Sequence, residues 1–298
     1  IEIAVYFADT RVNLYQIRQW YAPLAELARQ HPVSIISRSP GTMLTLLDEA
    51  PADVAGETEE MHPADLADVA AAIPRERVAD LLLALGTDRA ADVLEYLDEE
   101  LRTEALETMS ARQAAQLVTA MTPDDRADVL EALEEDVADE ILSAIPAEAR
   151  QETERLLAYE PDSAGGLMTT EFVSVPQAQR VEEALASVRA MARSGRREAM
   201  YTIYATDAQG RVAGVLSLRE LLAAAEGTTV GDVAWSEVVT VPATASREEI
   251  AAVTAKYDLV AVPVVDEGAR LLGVVTVDDV IDVIQEEQTE DVQKLGGM

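Results

Sequence analysis

Cysteine is absent from this 298-residue chain, and histidine occurs only as His31 and His62. The first absence excludes a disulfide framework, thiolate catalysis and a cysteine zinc site. The second leaves too little imidazole for a transition-metal centre or a histidine-based triad. Basic residues are scarce: 23 Lys and Arg stand against 56 Asp and Glu, giving a formal charge of −33 spread along the chain. Nucleic acid and anionic membrane surfaces are therefore poor partners, whereas hard cations are good ones. No run approaches the roughly 18 apolar residues of a membrane span, and no signal peptide opens the sequence. The chain reads as soluble and cytosolic, with length for two or three domains.

What is present falls into successive stretches. Residues 1–50 read β-α-β-α: IEIAVYFAD and VSIISRS suit strands, NLYQIRQWYAPLAELARQ is an amphipathic helix and GTMLTLLDEA a short one. Two parallel strands make a poor sheet alone, so the stretch resembles a partial Rossmann-like fragment. No G-x-G-x-x-G follows its first strand, and its role is not set by its residues. Residues 51–60, PADVAGETEE, read as a linker with little structure.

From 61 to 160 a repeat of about 12 residues appears, with units opening at His62, Pro74, Thr87, Asp98, Ser110, Thr122, Glu134 and Pro146. Each has a capping or helix-opening residue, acids in its first turn, and Ala and Leu at helical spacing. Helices this short do not hold together singly in water, so they are expected to stack into a solenoid.

A second repeat, of roughly 60 residues, follows over 161–227 and 228–286. FVSVPQAQRVEEALASVRAM aligns with VVTVPATASREEIAAVTAKY, and ATDAQGRVAGVLSLRELL with VVDEGARLLGVVTVDDVI. Each copy gives a strand, a helix, two strands joined by a turn, and a closing helix. The duplicated unit resembles a tandem pair of CBS domains, which often bind adenosine nucleotides. The fold class expected for the whole is thus multidomain α+β: an α-helical solenoid followed by a CBS pair, with a small β-α-β-α piece in front.

The end of the chain, VVTVDDVIDVIQEEQTEDVQKL, turns from strand to helix, with Thr276 or Asp278 as cap and Val280, Ile281, Val283 and Ile284 as its apolar face. Its other face carries a ladder of carboxylates. Asp279, Asp282 and Glu286 lie at i, i+3, i+7, and Glu287, Glu290 and Asp291 follow at i, i+3, i+4. An acidic face is ordinarily a solvated surface; a divalent cation would also relieve its repulsion.

LLAYEPDSAGGLMTTEFVSVP (Leu156–Pro176), LSLREL (Leu216–Leu221), KYDLVAVPVVDE (Lys256–Glu267) and VVTVDDVIDVIQEEQTEDVQKLGG (Val274–Gly297) resemble the MgtE family of magnesium transporters, in the family's order, over about residues 58–298. The resemblance implies an N domain over 61–160, a CBS pair, and the start of a connecting plug helix at 287–298. It implies the cytosolic, Mg²⁺-sensing regulatory part of a transporter at the membrane's cytoplasmic face, forming a homodimer and working on a pore domain that lies outside this chain. It is not an enzyme on this reading. In that family Mg²⁺ at domain interfaces locks the closed state. The family's sensing acids fall on Asp92, Asp124, Asp258, Asp279, Asp282, Glu287, Glu290 and Asp291. For Asp92 and Asp124 the plain alternative is a first-turn acid facing a helix dipole, and for Asp258 the start of a loop before a strand.

ATP, which some CBS pairs of the family bind, would meet Arg219 and Glu220. Glu220 stands where Asp is commoner, and Thr202 where an aromatic can stack on adenine. Gly165 and Gly166 read as a hinge or turn, since no phosphate-loop signature follows. Two other functions fit parts of the chain: a free-standing CBS regulator sensing an adenosine nucleotide, and an enzyme built on the amino-terminal α/β piece.

Overall fold

The computed structural model describes residues 39–192 and 202–281. The strands and longer helix expected before residue 39, and Asp282, Glu287, Glu290, Asp291 and the plug helix, lie outside the described residues. The chain forms two compact units: the first runs to Met121 and includes Ala132–Ile145, and the second comprises Thr122–Glu131 and the chain from Pro146 onward.

The first unit is built from short helices: α1 (Pro40–Glu49), α2 (Val54–Glu57), α3 (Pro63–Ala71), α4 (Val78–Leu85), α5 (Thr87–Glu95), α6 (Glu99–Glu107), α7 (Ala111–Ala120) and, after the excursion of α8 (Pro123–Ala132) into the second unit, α9 (Glu135–Ala144). The caps are local chemistry. Asp98 accepts the Leu101 N–H at 2.9 Å, Ser110 and Gln113 form a capping box, and His62 accepts the Ala64 N–H through Nδ1 at 3.2 Å. Thr87, expected as a cap, is instead the first helical residue: Gly86, at φ 84°, occupies the N-cap position. α3, α5, α7 and α9 pack in succession. At or just after the ends of most of these helices one apolar side chain turns inward: Met61, Ile73, Leu85, Leu97, Met121, Leu133 and Ile145 are buried, and Met109 is half-buried. The sequence repeat is thus a repeat of turn plugs, and it is what lets helices of eight to ten residues share one core.

Residues 51–60 are not the loose connector expected from their Pro, Gly and Glu content. A 3₁₀ turn (Pro51–Asp53) leads into α2, Val54 is fully buried, and the Thr58 hydroxyl donates to the Val54 carbonyl at 2.7 Å. The Arg89 guanidinium donates to the carbonyls of Thr58, Glu59 and Met61. α1 packs on α3 and α4, with Met43 and Leu47 buried and Asp48 paired to Arg77 at 2.8 Å. The described end of the amino-terminal piece therefore belongs to the helical unit, because its apolar face finds a partner there.

The second unit contains α8, α10 (Ala147–Leu156) and two three-stranded sheets. In the first sheet β1 (Val173–Pro176) runs parallel to β2 (Ile203–Thr206), which is antiparallel to β3 (Val212–Leu216); β4 (Val241–Pro242), β5 (Ala261–Val265) and β6 (Leu271–Thr276) repeat this order. α11 (Val181–Ala192) and α14 (Arg247–Tyr257) connect each parallel pair. α12 (Leu218–Ala223) closes the first copy, α13 (Val230–Val233) leads toward the second, and residues 277–281 begin the second closing helix.

Each copy is completed by chain that precedes the other. Thr169, ahead of the first copy, exchanges backbone hydrogen bonds with Val274 of β6 at 2.8 and 3.0 Å, and Trp235, ahead of the second, exchanges them with Val215 of β3 at 2.9 and 2.8 Å. Each receiving strand carries a glycine at the crossing. A Cβ on Gly273 would meet the Thr169 carbonyl oxygen at 2.6 Å, and one on Gly214 the Ala234 Cβ at 2.9 Å. Gly165 and Gly166 form a tight turn for the same reason: a Cβ on Gly165 would stand 2.3 Å from the Tyr159 ring, and one on Gly166 2.5 Å from the Pro161 carbonyl oxygen.

Gly273→Ala is expected to lower the urea midpoint by the equivalent of about 1–3 kcal/mol, because backbone must move. Gly56→Ala, an exposed helical site with nothing within 4 Å, is expected to gain up to about 1 kcal/mol. Equal midpoints for the two variants would refute the close crossing.

Candidate functional site

Three apolar side chains bring two acids together. Ala127 of α8, Leu156 of α10 and Val280 of the closing helix share the buried cluster that covers the second sheet. Asp124 lies one turn before Ala127, and Asp279 immediately precedes Val280. Thr122 immediately precedes α8, and its hydroxyl donates to the Asp125 carboxylate at 2.6 Å. Asp124 and Asp125 sit in its first turn, where the helix dipole favours anions. Asp124 is nevertheless only 7% exposed, unusual for a first-turn carboxylate.

Asp279 is half-buried at the start of the closing helix. It accepts the Thr276 N–H at 3.2 Å and the Thr276 hydroxyl at 2.6 Å, which makes Thr276 rather than Asp278 the cap. Burial pushes the Asp279 carboxyl well above the usual carboxylate range, and the Asp124 carboxylate adds to this. The Thr276 hydrogen bond opposes the rise, while Asp278 and Asp125 reinforce it. Two carboxyl groups are therefore held near each other in poorly hydrated surroundings.

A buried cation lies two residues beyond Asp124 on the same helix. Arg126 is 4% exposed. Its Nε donates to the Thr153 hydroxyl at 2.7 Å and its Nη2 to Glu152 Oε2 at 3.0 Å, and Glu152 Oε1 accepts from the Thr170 hydroxyl at 2.6 Å. Burial lowers the guanidinium pKa, and Glu152, Glu171 and Asp124 counter that lowering. Arg126, Glu152 and Thr170 escape a motif reading. The one available signal is that Arg126 is the sole basic residue of α8.

The first repeat offers a contrast at the equivalent place. Glu220 closes a capping box with Ser217, accepting its N–H at 2.7 Å, and also accepts from the Trp235 indole. The Ser217 backbone N–H, with smaller help from Trp235, the Ser217 hydroxyl and Arg219, holds Glu220 below the usual range against the effect of burial. Both of its oxygens are engaged, and Arg219 and Trp235 are exposed. Thr202 is half-buried just before β2.

Of the acids singled out in the sequence, Asp124 and Asp279 are brought together. Asp258 is exposed and caps α14 in the left-handed region at φ 52°, its N–H reaching the Thr254 carbonyl. Asp92 is half-buried on α5 in the first unit. Among the described residues no three Asp, Glu, His or Cys side chains form a metal cage. A pair of carboxylate oxygen donors fits a hard cation that keeps most of its water, as Mg²⁺ does, rather than one that demands a full protein shell.

Because the native state holds the Asp279 proton more tightly than the unfolded chain, Asp279 favours folding at low pH. That contribution fades as pH rises from 3.8 through the raised native value. In metal-free buffer, Asp279→Asn is expected to gain on the order of 1 kcal/mol at neutral pH, shrinking toward zero near the ordinary carboxylate range. Denaturant titrations of both proteins across pH check this, and a variant less stable than wild type at neutral pH would contradict it.

Comparison with known proteins agrees with this architecture. The model of the MgtE intracellular N domain matches residues 61–162, and that of the CBS domain matches 164–227 and 230–286. The magnesium transporter MgtE of Thermus thermophilus is 48% identical over 149 residues, half of this chain and 33% of that protein. The Enterococcus faecalis magnesium transporter MgtE is 38% identical over 152 residues, again 33% of its length. The chain thus spans about a third of the curated relatives it matches. A crystal structure of the soluble part of a magnesium transporter superposes with a TM-score of 0.77 at 29% identity, covering 83% of this chain and 97% of that one. That of the cytosolic domain of the Mg²⁺ channel MgtE in complex with ATP gives 0.73 at 38% identity, covering 77% and 93%. With its N domain and both CBS domains matched, and with that relative covered almost end to end, the chain belongs to the MgtE family.

Proposed function

We propose that this chain is the Mg²⁺-sensing regulatory region of a magnesium transporter or channel, and that it acts by binding the ion rather than by catalysis. The observation that carries the reading is the approach of Asp124, on a helix within the N-domain match, to Asp279, at the end of the CBS match. Empty, the pair is repelled; a divalent ion between the two carboxylates removes the repulsion and adds attraction, so occupancy favours the state in which α8 and the closing helix are together. Asp92, Asp258, Asp282, Glu287, Glu290 and Asp291 join the sensor on the strength of the family resemblance. So do the homodimer, the cytoplasmic face of the membrane, and the pore domain on which the region acts.

Several weak sites supply the swing between states. A ligand at ten times its Kd stabilises by about 1.4 kcal/mol, and such contributions accumulate over sites. The relative crystallised with ATP supports a nucleotide as a second ligand. Against this, in this chain Glu220 is already engaged by Ser217 and Trp235.

MgCl₂ titrated into the chain, with KCl at matched ionic strength as control, is expected to raise the melting temperature and contract the small-angle scattering profile saturably, at millimolar concentrations. Asp124→Asn and Asp279→Asn are each expected to remove much of the rise. Equal responses to Mg²⁺ and K⁺ would reduce the acidic faces to screened surface and sink the reading, and an ATP titration would then test the nucleotide-regulator function.

A further inference from the structure

We propose that Arg126 and Glu152 form a fixed counter-charge that sets the cation affinity of the Asp124–Asp279 pair; the inference rests on the sensing role given to that pair. Arg126 follows Asp124 by two residues on α8, yet it does not reach solvent as a surface arginine would. It is buried, and its direction is fixed by two side-chain bonds to α10, Nε to Thr153 at 2.7 Å and Nη2 to Glu152 at 3.0 Å. Thr153 is itself fully buried and donates to the Ala149 carbonyl at 2.8 Å, and Glu152 is held from its other oxygen by Thr170. The guanidinium therefore cannot swing away when an ion arrives. It remains charged under any working condition, and its field reaches Asp124.

The positive charge lowers the negative potential that a divalent ion would meet at the pair. Glu152 moderates that effect, since its carboxylate neutralises part of the guanidinium field before it reaches Asp124. With low local dielectric, each of these charges weighs more on the site than any solvated acid on the surface. The arrangement has the form of a trim that keeps a carboxylate pair weak, so that it empties and fills within the range over which an abundant cation varies.

Charge and architecture can be separated because two neutral replacements act in opposite directions. Arg126→Gln removes the competing cation and is expected to tighten Mg²⁺ binding by about threefold to tenfold. Glu152→Gln leaves the arginine unopposed and is expected to weaken it by a similar factor. Both variants should melt below wild type in EDTA, since each breaks a buried pair. The apparent Kd is read from the melting temperature of the full chain against MgCl₂ at constant KCl. Divergent Kd values with parallel losses of stability support the counter-charge. Kd values that move together, or not at all, overturn it, because a purely architectural role would weaken binding in both. Should Arg126→Gln fail to fold, Glu152→Gln alone decides: unchanged or tighter binding overturns the proposal. A wild-type chain that answers Mg²⁺ while the variants do not diverge rejects only the counter-charge. A wild-type chain indifferent to Mg²⁺ rejects the sensing role beneath it.

Discussion

The seam of Ala127, Leu156 and Val280 against the second sheet decides what the neighbouring polar residues experience. Apolar burial is indifferent to charge, so once this seam forms, Asp124 and Asp279 are carried to the same place whatever their mutual repulsion. Each charge around them follows from that placement. The Asp279 carboxyl is pushed above the usual carboxylate range because water is excluded and Asp124 is near, and Thr276 cannot fully compensate. Arg126 is oriented by α10, which contributes Leu156 to the same seam. Hydrophobic contact thus sets up an electrostatic tension between the two carboxyl groups.

The duplicated architecture shows how one backbone plan yields two different carboxyl sites. Glu220 and Asp279 close the same turn at the end of equivalent strands, each with a hydroxyl residue three positions earlier. Around Glu220 the neighbours are donors, including the Trp235 indole; around Asp279 they are further acids. One carboxyl is stabilised as an anion and the other is strained as one. Duplication kept the cap and released the surroundings.

Much of the fold was legible because it is written locally. The 12-residue spacing, the capping residues and the paired 60-residue motifs all concern neighbours in sequence, and the helices and sheets follow them. Residues 51–60 differ from expectation because composition outweighed one position: Val54 is the one large apolar side chain of the stretch, and it is fully buried. The exchanged pairing of Thr169 with Val274 and of Trp235 with Val215 uses backbone groups, which leave no side-chain signature apart from Gly214 and Gly273. Family resemblance marked Asp124 and Asp279 separately. Their proximity depends on a tertiary seam, and the part played by Arg126 depends on an ion pair to another helix, neither of which has a sequence period.

The exchanged strands also impose an order in time. Thr169 is made early in the second unit, but its partner Val274 leaves the ribosome only after both repeats have been translated, several seconds later at roughly 5–20 residues per second. Until then the linker that carries Thr169 has no strand to join, although the first repeat can already take up Trp235. The second sheet, the seam and the paired carboxylates therefore wait for the second repeat.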